Sequence, residues 1–106
     1  MLFNVTMLEI NHNINKFGMR KILISGAYGQ LGQELFIGLA KQYGAENVVC
    51  TDIKHPPKNL GVIHHEIVDV HNKDHFFDVV KRYQITDLYG LASLLSATGE
   101  LYPLHT

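Results

Sequence analysis

The sequence predicts an α/β fold, a partial doubly wound parallel sheet with helices on both faces. Three observations carry that expectation. The apolar run Ile22-Leu23-Ile24 is too short for a helix and rich in β-branched residues, which marks a strand buried on both sides. It runs straight into Gly26-x-x-Gly29-x-x-Gly32, and a helical apolar spacing follows at Leu31, Leu35, Leu39 and Ala40. A second strand over 47–51 is closed by Asp52, twenty positions after Gly32, the separation of a strand–helix–strand unit.

Strand, glycine turn and helix in that order make the glycines a dinucleotide-binding motif rather than a chance cluster. Gly26 turns the chain off the strand, Gly29 lets backbone approach a pyrophosphate, and Gly32 lets the helix pack closely. The diphosphate would sit where free amides and the helix dipole favour negative charge. Asp52 would accept hydrogen bonds from the adenosine ribose hydroxyls and repel a 2′-phosphate, which selects NAD over NADP. Lys54 and His55 follow it and, as nearby cations, work against that selection.

Residues 1–18 read as a poorly ordered arm, with Asn4, Asn11, Asn13 and Asn15 and irregular apolar spacing, while Leu2, Phe3, Val5, Leu8, Ile10 and Ile14 leave a short local helix or strand open. Residues 19–106 form the domain. Its first helix spans 30–43, and Gly44 supplies the stop signal. Gly38 inside it reads as a close-packing site. The loop 54–61, with Pro56 and Pro57, replaces a second crossover helix. A third strand is expected over 62–67, a helix over 73–83 with Asn72 as N-cap and Phe76, Phe77, Val80 and Tyr83 on one stripe, and a fourth strand over 87–92. Strand order 3-2-1-4 follows from the doubly wound pattern and leaves the fourth strand as an exposed edge open to self-association.

The formal net charge is −1 and there is no basic run, so nucleic-acid or membrane-surface binding has no electrostatic support. The longest apolar runs are too short to cross a bilayer. Cys50 is the only cysteine and sits in a strand, which suits a small core residue in a reducing compartment. A cytoplasmic location is expected, and residues 1–18 make a poor transit or secretory peptide. Seven histidines include His71 with His75 and His64 with His65. Adjacent strand residues face opposite ways and no third ligand completes a set, so no metal site is expected. Ser93, Ser96 and His105 make no nucleophile arrangement.

The loop Ser25-Gly-Ala-Tyr-Gly-Gln-Leu-Gly32 resembles the coenzyme loop of extended short-chain dehydrogenase/reductases, the NAD-dependent epimerase/dehydratase superfamily. The segment Leu-Leu-Ser-Ala-Thr-Gly-Glu at 94–100, with Asp52-Ile53-Lys54, the Pro pair and Glu100-x-x-Pro103, resembles the short-chain type of L-threonine 3-dehydrogenase. The resemblance runs from Arg20 to Pro103. It implies oxidation of the threonine β-hydroxyl to 2-amino-3-oxobutanoate. It implies NAD contacts from Gly26, Tyr28, Gly29, Gln30, Leu31, Gly32, Asp52, Ile53, Lys54, Asp69 and Val70, with Leu91, Ala92 and Ser93 beside the nicotinamide ribose and Ser96 toward the substrate. The family also leaves a mitochondrial location open.

That family moves a proton with a Tyr that has a Lys four residues later, the Lys and coenzyme lowering the Tyr pKa. None of Tyr28, Tyr43, Tyr83, Tyr89 and Tyr102 has such a Lys. No catalytic residue is therefore assigned, and a small amino-acid substrate is expected only together with the missing half. Two other readings stay open: a non-catalytic product acting as an interaction fragment, and a piece of a nucleotide-sugar epimerase or dehydratase.

Overall fold

In the computed structural model the described residues are 5–9 and 20–91, with side chains described over 20–90. They form β1 (Val5–Glu9), β2 (Ile22–Ser25), α1 (Gln30–Tyr43), β3 (Val48–Asp52), β4 (His64–Ile67), α2 (Lys73–Arg82) and β5 (Asp87–Leu91). The sheet order is β1-β5-β2-β3-β4. β2, β3, β4 and β5 pair in parallel, which is the expected 3-2-1-4 order.

Both faces of this sheet are covered, which explains the unbroken apolar runs. Side chains alternate across a strand. Ile22, Ile24, Val48 and Cys50 therefore pack with Phe36 and Leu39 of α1, while Leu23, Val49 and Leu88 pack with Phe76 and Val79 of α2. Phe36 and Val79 belong to these cores although the stripes read from sequence passed over them. Leu31 and Phe77 are only half-buried, displaced from the centre by Phe36 and Phe76.

Local chemistry sets the ends. Gly44 closes α1 with its N–H on the Ala40 carbonyl at 2.8 Å. Asn72 caps α2 by accepting the His75 N–H at 3.2 Å. Asn47 belongs to a 3-10 turn, its Nδ2 donating to the Tyr43 carbonyl, so β3 begins one residue later than expected. The third strand starts at His64, because Gly61 has φ +86° and the chain bends at Ile63. α2 ends at Arg82, with Tyr83 as its C-cap.

Three expectations are corrected. Residues 5–9 of the N-terminal arm form strand β1, and the rest of 1–18 lies outside the described residues. β1 pairs antiparallel with β5, from Val5↔Leu91 to Glu9↔Asp87, so the fourth parallel strand is not an exposed edge. An edge strand presents unpaired N–H and C=O groups, and a segment containing Val and Thr satisfies them. Gly38 is not a packing site either: it is exposed, and an added Cβ would meet nothing within 4 Å. Gly38→Ala is expected to raise stability by about 1 kcal/mol, read as a higher urea midpoint at unchanged slope.

Polar side chains tie the strands to their neighbours in the chain fold. Arg20 donates from Nη1 to both carboxylate oxygens of Asp87, at 2.7 and 2.9 Å, and Asp87 is buried. On the edge strand β4, Glu66 accepts the Tyr83 hydroxyl at 2.7 Å and Arg82 Nη1 and Nη2 at 3.4 Å. Burial pushes the Glu66 carboxyl up, but Tyr83 and Arg82 outweigh it and hold it below the ordinary carboxylate range. A folded pKa below the unfolded one gives stability that is full above the unfolded value and lost as pH falls through the folded value. Glu66→Gln should cost about 0.5 to 1 kcal/mol at neutral pH. In chemical denaturation against pH, that difference should vanish in strong acid.

Candidate coenzyme site

The carboxyl ends of the parallel strands bring four segments to one end of the sheet. These are the glycine loop after β2, Asp52 to Lys54 at β3, Asp69 and Val70 beyond β4, and Leu91 closing β5. The chain runs from β2 to β3 on one side and returns to β5 on the other. A doubly wound sheet takes its ligand at that reversal of order.

Gly26 leaves β2 with φ +67°, a backbone conformation that side chains disfavour. The loop is then pinned from several sides. The Ala27 N–H donates to the Thr51 carbonyl at 3.2 Å, the Gly29 N–H to the Gly26 carbonyl at 3.3 Å, and Gln33 Nε2 to the Tyr28 carbonyl at 2.9 Å. Gly32 packs against the loop itself rather than the sheet. A Cβ there would collide with the Gly26 carbonyl oxygen and lie 2.7 Å from the Ala27 backbone.

Gly29 differs from both. It is the N-cap of α1 in ordinary extended backbone, φ −70° and ψ 170°, and an added Cβ would meet only the Gly26 oxygen, at 3.7 Å. Nothing in the protein's own packing requires a glycine there. The helix start carries no side-chain cap and no acid in its first turn. The first amides of an α-helix have no intrahelical acceptor, and they carry the positive end of the dipole. Gln30, Leu31 and Gly32 supply those amides, since the first intrahelical bond runs from the Gln33 N–H to the Gly29 carbonyl at 3.0 Å.

Asp52 joins this loop to β3. Its Oδ2 accepts the Tyr28 N–H at 2.9 Å and its Oδ1 accepts the Lys54 N–H at 3.2 Å. A carboxylate has about four lone-pair sites, so both oxygens retain acceptor capacity toward a ribose. Ile53 is 68% exposed beside it, and Lys54 and His55 are exposed as well. At the end of β4, Asp69 accepts the His71 N–H at 2.9 Å and faces the His71 ring at 3.0 Å. Those contacts with the His71 amide and ring hold its carboxyl below the usual range. Val70 packs partly into the α2-side core.

The Tyr28 side chain turns away from the loop's outer surface. It is 5% exposed, burial pushes its phenol far above the ordinary range, and its hydroxyl shares a hydrogen bond with His65 Nδ1 at 2.7 Å. Its side chain belongs to the α1-side core, so only its backbone is left to the loop. Sequence spacing did not show this strut, since His65 lies on a strand two crossovers away. Cys50 lies in the same core, its thiol pushed up to about 12 by burial. The remaining site residues, Ala92, Ser93 and Ser96, lie outside the described residues, and Leu91 is described by its backbone alone. No helix among the described residues is long and apolar enough to cross a membrane.

No family model matches the chain. An uncharacterized epimerase/dehydratase of Staphylococcus epidermidis is 43% identical over 88 residues, covering 81% of this chain and 28% of that protein. Solved structures extend the likeness. An L-threonine dehydrogenase from Clostridium difficile is 42% identical with a TM-score of 0.62, over 82% of this chain and 28% of its own. This chain is a part of the epimerase/dehydratase superfamily. A GalE-like L-threonine dehydrogenase from Cupriavidus necator, a holo form, is also 42% identical with a TM-score of 0.62, over 78% of this chain and 27% of its own. The 106 residues thus span little more than a quarter of these superfamily members.

Proposed function

We propose that this chain is the NAD-binding portion of an oxidoreductase acting on L-threonine. Space above Gly29 that the protein itself does not need, next to uncapped helix amides, is the observation that supports it most. The residues present fit a dinucleotide. Gly26, the Tyr28 backbone, Gly29, Gln30, Leu31 and Gly32 would hold the diphosphate. Asp52 would hold the adenosine ribose, Ile53 and Lys54 would flank it, and Asp69 and Val70 would meet the adenine. Leu91, Ala92 and Ser93 would border the nicotinamide ribose, with Ser96 on the substrate side.

When bound, NAD supplies the hydride acceptor for oxidation of a secondary alcohol. These residues bind and orient it, and Asp52 disfavours a 2′-phosphate. They do not move the substrate's proton, because no tyrosine of the five has a lysine four positions later. Alone they bind coenzyme without turnover. L-Threonine is preferred over a nucleotide sugar because solved relatives include threonine dehydrogenases and the segment 94–100 resembles that type.

Gly29→Ala separates ligand binding from packing. Its melting temperature without ligand should match the parent's. Its affinity for NAD by calorimetry should fall at least about tenfold, a loss of about 1.4 kcal/mol. Equal affinity would contradict the assignment of the loop.

A further inference from the structure

Tyr28 directly precedes Gly29, and three elements hold it. The Asp52 carboxylate at the end of β3 accepts its N–H at 2.9 Å, Gln33 of α1 donates to its carbonyl at 2.9 Å, and His65 of β4 shares a hydrogen bond with its hydroxyl at 2.7 Å. The third bond reaches two strands across the sheet from β2. Its geometry follows from register: Cys50 and His65 are partners on β3 and β4, so their side chains share the face on which the Tyr28 ring packs. The Cys50 thiol interacts with the same hydroxyl. The His65 ring lies 5.4 Å from that of Tyr28 and 6.3 Å from that of His55, three residues after Asp52. One half-buried ring on β4 thus stands beside both the loop after β2 and the loop after β3. Packing alone does not account for a histidine there. Its Nε2 is buried with no hydrogen-bond partner among the described residues, a cost that an apolar side chain would avoid.

We propose that His65 is a positioning residue for the coenzyme: through the Tyr28 hydroxyl it fixes where the glycine loop stands relative to Asp52, and so where the Gly29 backbone and the first amides of α1 meet a diphosphate. The assignment rests on the NAD-binding reading above and deepens it. His65 acts through Tyr28. A binding site made of fixed backbone donors works only if those donors are held in place before the ligand arrives, and supporting hydrogen bonds do the holding. With the His65 bond gone, Tyr28 keeps its backbone bonds to Asp52 and Gln33, but its ring is no longer tied to β4.

Amide chemical-shift titrations of the full 106-residue chain with NAD and with adenosine test this. Adenosine has no diphosphate for the loop to grip. His65→Phe keeps a ring without nitrogen, and Tyr28→Phe keeps the ring without its hydroxyl. Each should weaken NAD binding by roughly fivefold to tenfold and leave adenosine binding unchanged. The double variant should lose no more than either single one, because the two side chains act as a unit. His65→Asn, whose amide can take the place of Nδ1, should recover most of the NAD affinity. A lower urea midpoint with unchanged NAD affinity would mean a merely structural pair and overturn the proposal, as would equal losses for NAD and adenosine. If His65→Phe does not fold, Tyr28→Phe decides by the same comparison. A parent chain that binds NAD while both variants bind it equally well overturns the role of His65 alone; a parent without saturable NAD shifts overturns the coenzyme reading and this role with it.

Discussion

Gly32→Ala is expected to destabilise the chain by about 3 kcal/mol and to remove NAD binding, the upper end of what overpacking costs. The added Cβ collides with the Gly26 carbonyl oxygen and lies 2.7 Å from the carbonyl carbon and oxygen of Ala27. These are backbone atoms of a loop already fixed by bonds to Thr51 and within itself, so no flexible side chain can yield. Relief requires α1 to move off the loop, which takes Phe36 and Leu39 out of a core that also holds Ile22, Ile24 and Val48. Urea denaturation reads the first effect and calorimetric titration with NAD the second. The contrast with Gly29→Ala is informative, because the two glycines share a motif but only one is demanded by the fold.

Asp52→Ala should produce a loss of similar size by a different route. Asp52 is 9% exposed and accepts two backbone N–H bonds, from Tyr28 and Lys54. Hydrogen bonds to a charged group contribute about 1.5 kcal/mol or more each, so removal costs roughly 3 kcal/mol and leaves the Tyr28 amide without its acceptor. Asp52→Asn keeps an acceptor for Tyr28 and isolates the charge. A 2′-phosphate about 4 Å from the carboxylate is opposed by on the order of 4 kcal/mol per unit charge at an effective dielectric of 20. The parent should therefore prefer NAD over NADP by tenfold or more, and Asp52→Asn should lose most of that preference. Parallel thermal-shift titrations with both coenzymes measure it; equal shifts for the parent would contradict the role of Asp52.

The parts of this fold that sequence showed are those with local causes. α1 begins after Gly29 and stops at Gly44, as its glycines and apolar spacing imply. The strands β2, β3 and β5 are apolar on both sides because α1 and α2 cover both sides. The parts it did not show depend on distant partners. β1 has no periodicity of its own and exists through pairing with β5. The Tyr28 ring is directed by His65 on β4, and the Arg20–Asp87 pair joins residues 67 positions apart. Gly38 departs from the close packing that a helical glycine suggests, because its surroundings are open. At the site, the glycines and Asp52 were legible as a motif, but only coordinates show that a hydrogen bond joins Tyr28 to Asp52 and that Gly29 alone is unexplained by packing.

Amide chemical-shift mapping of the whole chain against added NAD tests the coenzyme assignment most directly. The largest perturbations should fall on the backbone of Tyr28, Gly29, Gln30, Leu31 and Gly32 and on Asp52 and Ile53, saturating together with a single affinity. Absence of saturable shifts there, or saturable shifts confined to α2 or to the β1 edge, would contradict it.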